Sequence, residues 1–236
     1  MAGGPAGRGG YDGEGFRSEG GAPATDRRMA RGTRTRELLM SAMIDLIDAG
    51  HPTPTAGRVA ARADVAVRTI FHHFDGLDDL YCQAVDRHVT RVRSSIAADP
   101  PQGPLEVRIA IVVRQRRRLF EAIGPVLQAS YARAPAIPAL SEVLDGHRWA
   151  LLQQLARSLA PELDACGPLA PAMLTTAGAV SGWSQWNTLR FEAGHSAPQA
   201  ERTMVFLVAW VVERLPGHPV DVSRSGVGPD PTRVSD

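Results

Sequence analysis

Residues 55–74 read TAGRVAARADVAVRTIFHHF, and the reading of this stretch decides the fold. Thr55 is a good helix N-cap, and Val59, Ala60 and Ala63 behind it recur on one face of a short helix. After a tight Ala63-Asp64-Val65-Ala66 connection, a second short helix is predicted over 67–73, with Val67, Ile70, Phe71 and Phe74 turned inward. Two such helices cannot bury their apolar faces alone. The preceding segment, 33–49, supplies the cover: Leu38, Leu39, Ala42, Met43, Leu46 and Ile47 share one face, and Gly50 stops the helix. A three-helix unit of this kind holds its last helix clear of the surface, where it fits a major groove about 12 Å wide. Outside the apolar stripe of that helix stand Arg68, Thr69, His72 and His73. They offer one cation, a hydroxyl and two titratable rings, a set suited to phosphates and base edges. Thr55, at the start of the second helix, is placed to meet a phosphate together with free backbone N–H groups. A generic helical hairpin with solvated Arg and His would share this composition, but not the register of every element.

Working outward, residues 34–81 resemble the N-terminal domain of the tetracycline-repressor (TetR) family. The family's pattern has an arginine-rich start, an apolar first helix ending at Gly, and then Thr-x-x-x-hydrophobic-Ala. It closes with aromatic-x-His-Phe before an acidic pair and Leu. Here these are Arg34 and Arg36, Gly50, Thr55 to Ala60, Phe71-His72-His73-Phe74 and Asp78-Asp79-Leu80. The resemblance implies DNA contacts by Arg34, Thr55, Arg68, Thr69, Phe71, His72 and His73. Four positions depart from the pattern. Asp64 stands at the turn position usually held by Gly, and Ala66 stands where a Ser usually caps the recognition helix. Phe71 replaces a phosphate-binding Tyr, and Leu77 replaces a Lys. The missing cap costs roughly 1 kcal/mol. Arg68, Arg34 and the arginine-bearing arm are the expected compensation for the two lost backbone contacts.

The formal net charge is only +1, so nucleic-acid binding has to come from a local basic surface. All 26 basic residues are arginine, a bias that fits GC-rich coding more than chemistry. Cys82 and Cys166 are isolated and form no CxxC pair, which argues against a disulfide scaffold or a cysteine zinc site. No signal-like apolar run is found near residue 1, and the longest apolar run, 204–212, is well short of the ~18 residues of a membrane span. A cytoplasmic protein without membrane association is expected. No HExxH, Walker loop, GxSxG or dinucleotide fingerprint is present, so no catalytic residue, metal or cofactor is expected and an enzyme is disfavoured.

Residues 1–31 and 216–236 are rich in Gly, Pro and charge, and are read as a disordered arm and a disordered tail. Between them the chain is all-α, with about nine helices. A helix-turn-helix domain occupies 32–77 and a helical effector-binding and dimerisation domain 78–215. The fourth helix follows Asp75, with Leu80, Ala84, Val85, Val89, Val92 and Ile96 at helical spacing. Prolines 100, 101 and 104 break the chain; later helices are predicted near 105–122, 126–133, 140–160, 169–193 and 198–215.

In 105–123, Arg116 falls in the middle of a stripe of Leu105, Ile109, Val112, Leu119 and Ile123. A buried Arg needs a partner, so it is either ion-paired between helices or poised for an anionic effector. In 169–193, Leu169, Met173, Val180 and Phe191 share a stripe with Ser184 and Asn187, a mixture that suits a ligand cavity. His147, Trp183 and Phe120 are further candidates for its lining, so the ligand set is Arg116, Phe120, His147, Met173, Trp183, Asn187 and Phe191. Each of them alone fits a satisfied core position equally well. Gly178 and Gly182 permit close helix contact, and the 204–212 run is apolar nearly all round. The family resemblance implies a homodimer through the 169–193 and 198–215 helices, bound to double-stranded operator DNA and released by a small, largely apolar effector.

Overall fold

The computed structural model describes residues 24–96 and 100–214, with side chains from residue 29 onward. The described residues form ten α-helices with short 3₁₀ and π turns. The first, α1, spans Ala24–Asp48 and buries Leu39, Met43 and Ile47. It begins earlier than the sequence suggested, so residues 24–31, read as arm, belong to this helix; the rest of the arm and the 216–236 tail lie outside the described residues.

Helices α2 (Ala56–Arg62) and α3 (Arg68–His73) follow. Thr55 has extended backbone angles and its hydroxyl accepts from the Arg58 N–H at 3.4 Å. Asp64 carries the turn between them with φ +53°, the left-handed conformation that Gly adopts most readily. Val65 N–H bonds Ala60 C=O at 3.0 Å, which closes α2. The start of α3 has no side-chain cap, as the Ala at position 66 requires.

Helix α4 (Leu77–Ile96) buries Leu80, Tyr81, Ala84, Val85 and Val89 at helical spacing, with Asp78 and Asp79 in its first turn opposing the macrodipole. It packs on α1 behind it and on α5 and α6 ahead, so it is shared by the two halves of the chain. Helix α5 (Leu105–Arg133) continues through Gly124-Pro125, where the sequence suggested a stop. Pro125 is exposed while Ile123, Val126 and Leu127 are buried, so packing on the inner side outweighs the backbone bond lost on the wet side.

Helix α6 is Pro138–Ser158, and α7 (Ala160–Cys166) is a short helix within a stretch read as proline punctuation. The segment expected as a single 169–193 helix is broken. Helix α8 (Ala170–Val180) ends at Ser181, Gly182 is extended at ψ 178°, α9 is Trp183–Asn187, and a π turn covers Thr188–Glu192. Helix α10 (Ala197–Arg214) packs on α5 and α8. Two ion pairs reach from Glu201 of α10 to α5, with Arg117 at 2.7 Å and Arg114 at 3.5 Å. No helix among the described residues is long and apolar enough to cross a membrane.

Candidate functional site

The α3 surface is built from two buried anchors and an exposed remainder. Ile70 is fully buried and Phe74 nearly so, which fixes the helix on α1 and α4. Arg68 and His72 are exposed, and Thr69 and His73 are half-buried. Val67 (43% exposed) and Phe71 (59%) were expected to face inward and instead face solvent. A six-residue helix can turn only one narrow side to the core, and Ile70 with Phe74 fills it. Phe71 therefore shares the open surface with Arg68 and His72. The His72 and His73 rings meet edge-on at 5.0 Å. Partial burial, then His72, then Arg36 hold the His73 imidazole below its ordinary pKa, so it is neutral near pH 7. Thr55 and Arg34 are exposed.

Arg36 of α1, named in the sequence reading only as part of the arginine-rich start and given no role, holds this surface in place. Its guanidinium donates to the His73 carbonyl at the C-terminal end of α3 and to the Gln83 side-chain oxygen on α4. It also lies 4.3 Å from the Phe74 ring centroid. Gln83 in turn donates to Asp79 at 2.8 Å, and the second Asp79 oxygen accepts from the Asp75 N–H at 3.0 Å. The α3–α4 corner is thus tied to α1 by one cation. The arginine-rich start of the motif was the available signal, but it named no partner.

A second site lies behind α4. A cavity of about 610 Å³ is lined by Arg116, Phe120, His147 and Trp183 from the sequence-derived set. Arg93, Tyr131 and Leu144 are among residues that the sequence reading missed. Phe120 meets the Trp183 ring edge-on at 5.8 Å, and both side chains are nearly fully buried. Met173, Asn187 and Phe191 do not line it. Met173 is core, with its sulfur 3.4 Å from that of Cys166, and Phe191 is 56% exposed. For Asn187 and Phe191 the break at Ser181-Gly182 is the reason, since residues after it no longer continue the stripe of a straight helix; Met173, before the break, is turned to Cys166 instead.

Arg116 is 2% exposed and has no carboxylate partner among the described residues. It donates to the carbonyls of Ser181 (2.9 Å) and Leu151 (2.8 Å) and to the Ser181 hydroxyl. Burial lowers its pKa to about 10, which leaves it cationic at pH 7. Ion-pairing between helices therefore does not describe it. His147 Nε2 lies 3.2 Å from Asp86 of α4. Burial holds this imidazole below its ordinary pKa against the pull of Asp86, and Arg93 adds to the depression.

Gly178 and Gly182, read as openings for close helix contact, serve within the chain. A Cβ at Gly178 would meet Leu152 of α6 at 2.6 Å, and one at Gly182 the Gly178 carbonyl at 3.1 Å. On α10, Phe206 and Trp210 are 67% and 53% exposed, four residues apart on one face.

No family model matches the chain. Over 133 residues it is 30% identical to an HTH-type transcriptional repressor, LfrR, of Mycolicibacterium smegmatis, a match covering 55% of this chain and 67% of that one. The fold is shared with a transcriptional regulator of Rhodococcus sp. Rha1 at TM-score 0.61 and 19% identity, over 78% of this chain and 99% of that one. A candidate regulator of Pseudomonas aeruginosa PAO1 matches at TM-score 0.61 and 21% identity, over 77% and 91% of the respective chains. A candidate TetR-family regulator of Mesorhizobium loti MAFF303099 matches at 0.58 and 15%, over 78% and 97%. With the helix-turn-helix, the all-α architecture and these likenesses together, the chain belongs to the TetR family of transcriptional regulators.

Proposed function

We propose that a homodimer of this chain represses transcription from a pseudo-palindromic operator, and that a small effector in the α4–α5–α6–α8 cavity releases it. The reading makes the protein a cytoplasmic binding module and not an enzyme. The observation that carries it is the double duty of α4. Val89 and Arg93 of that helix line the cavity, while Asp79 and Gln83 near its start join the network that holds α3. Arg133 at the end of α5 also pairs with Asp78 at 3.0 Å and lies 4.7 Å from the Tyr81 ring. A ligand that shifts α4 against α5 therefore moves the corner carrying the recognition helix. Operator affinity falls by the ligand's differential affinity for the two arrangements.

Arg34, Thr55, Arg68, Thr69, Phe71, His72 and His73 form the proposed DNA surface, with Phe71 offering an apolar face to a thymine methyl or sugar. The proposed dimer interface uses α10 and the α8–α9 segment, where Phe206, Trp210 and Phe191 leave apolar area uncovered. Two-fold symmetry would set the recognition helices roughly 34–36 Å apart, or somewhat more.

Selection of bound duplexes from a random pool, followed by salt titration of the winner, tests the reading. An inverted-repeat sequence with steeply salt-dependent affinity is expected. In Arg68→Ala the slope of log affinity against log salt should shrink by about 1.8, the value of two lost phosphate contacts, one from each protomer. Failure to enrich any sequence would defeat the repressor reading.

A further inference from the structure

The cavity behind α4 has an unusual charge distribution. Beside the 610 Å³ space lies a second one of about 350 Å³, and the two share Arg93, Arg116, Leu119 and Leu151 as lining. The smaller space adds Arg157 and the amides of Gln115, Gln153 and Gln154; among the described residues no carboxylate lines it. Among the described residues the only acidic one that lines the larger space is Asp145, already bonded to Arg148 at 2.7 Å. Aromatic and aliphatic residues, Phe120, Trp183 and Leu127 among them, make up much of its wall, with His147, Thr175 and Ser184 as neutral polar groups.

Two guanidinium groups meet at this junction with donors unused. Arg116 Nε and Arg93 Nη1 are both buried, and neither has a hydrogen-bond partner among the described residues. The groups that do hold Arg116 are neutral carbonyls and a hydroxyl, which fix its orientation without cancelling its charge. A buried cation without a counter-charge is costly, and a buried donor without an acceptor adds to the cost. An anion bound at the junction removes both penalties, whereas a neutral ligand removes neither and a cation aggravates the first.

Resting on the effector reading above, we infer that the effector is an amphipathic anion. Its carboxylate or similar head is bound by Arg93 and Arg116, and its apolar body lies along Phe120 and Trp183. Because Arg93 belongs to α4 and Arg116 to α5, the head group would clamp the two helices whose relative position sets α3. Charge recognition and release would then be the same event. The elongated pair of spaces, one greasy and one cationic, also accounts for a cavity that is mostly apolar yet holds a fixed guanidinium.

The test compares three ligands with one tail: decanoate, 1-decanol and decyltrimethylammonium, titrated below their aggregation concentrations into the full-length protein. Quenching of tryptophan fluorescence is a suitable readout, since Trp183 and Trp149 line the larger space. Decanoate should bind at least about tenfold tighter than the alcohol, the worth of one charge-assisted contact, and the cation should bind weakest. Arg93→Gln, which removes no hydrogen bond or ion pair among the described residues, should cut the preference for decanoate severalfold, Arg116 keeping the remainder, while leaving decanol affinity within about twofold. Equal binding of acid and alcohol, tighter binding of the cation, no saturable binding of any of the three, or a preference undiminished by Arg93→Gln would overturn the inference. Operator affinity is measured separately. Head-group preference with unchanged operator affinity would keep the anion site and reject effector release. Release by decanol as effective as by decanoate would keep release and reject the anion site.

Discussion

The guanidinium of Arg36 lies over the ring of Phe74, 4.3 Å from its centroid, while donating to the carbonyl of the residue before that ring. One side chain of α1 thereby fixes both the end of the recognition helix and the aromatic that closes it. The donor fork matters as much as the charge, because the same group also reaches Gln83. Arg36→Ala is expected to cost about 1–2 kcal/mol of stability by chemical denaturation. It should also weaken operator binding without changing the salt slope, because no phosphate contact is removed. Arg36→Lys should recover the charge but not the fork, and restore only part of the affinity. A reduced salt slope in Arg36→Ala would mean that this residue touches DNA directly.

Asp64 sits at φ +53° in the turn between α2 and α3. Asp reaches this region at less cost than residues lacking a short polar side chain, and Gly at less cost still. Asp64→Ala is expected to destabilise the protein by about 1 kcal/mol, and Asp64→Gly to leave it unchanged or slightly more stable. Urea midpoints of the two variants decide the matter. Equal destabilisation by both would show that the carboxylate, not the backbone, is what the position needs.

Phe206 and Trp210 present an uncovered apolar face on α10, the helix that Glu201 ties to α5 through Arg114 and Arg117. Trp210→Asp should give a monomer in size-exclusion chromatography with light scattering, with the helical content of the parent. Operator affinity should fall by roughly 100-fold or more, since one half-site no longer assists the other. A variant that stays dimeric would move the interface elsewhere.

Arg108 and Glu162 join the start of α5 to α7, with side chains only 10% and 20% exposed. Arg108 also donates to the Gly103 carbonyl at 2.9 Å and to that of Ser158. The hydrogen bond from Arg108, opposed by partial burial, holds the Glu162 carboxyl below its ordinary pKa. A depressed folded-state pKa means stability that is present above the unfolded carboxylate value and lost as pH falls through the folded one. Glu162→Gln should therefore cost about 2 kcal/mol at pH 7, with the gap to the parent closing as pH falls through the depressed carboxyl value. A gap independent of pH would show that the charge plays no part.

The helix-turn-helix was legible because its determinants are local. Thr55, the Ala63-to-Ala66 connection, Ile70 and Phe74 lie within twenty residues, and their spacing marks the anchors of the buried side, although it also turned Val67 and Phe71 inward, which face solvent. The all-α class was legible for the same reason, since helical periodicity recurs along most of the described chain. Where a proline met a strong apolar stripe, local reading failed. Pro125 sits on the wet side of α5 and is tolerated, while the Ser181-Gly182 break, at residues with no proline, redirects the chain. That break put Asn187 and Phe191 off the cavity wall, while Met173, before it, packs on Cys166.

The sequence by itself determined that two short helices pack on a third and leave Arg68 and His72 outside, because those contacts span few residues and obey one period. Tertiary structure alone decided that Arg116 rests on Ser181 and Leu151, and that Arg93 of α4 lines the same space. It also decided that Arg36 clamps His73. These pairings join residues 23 to 65 positions apart. Periodicity can say which side of a helix is buried; only the packing of whole helices says which neighbour it is buried against.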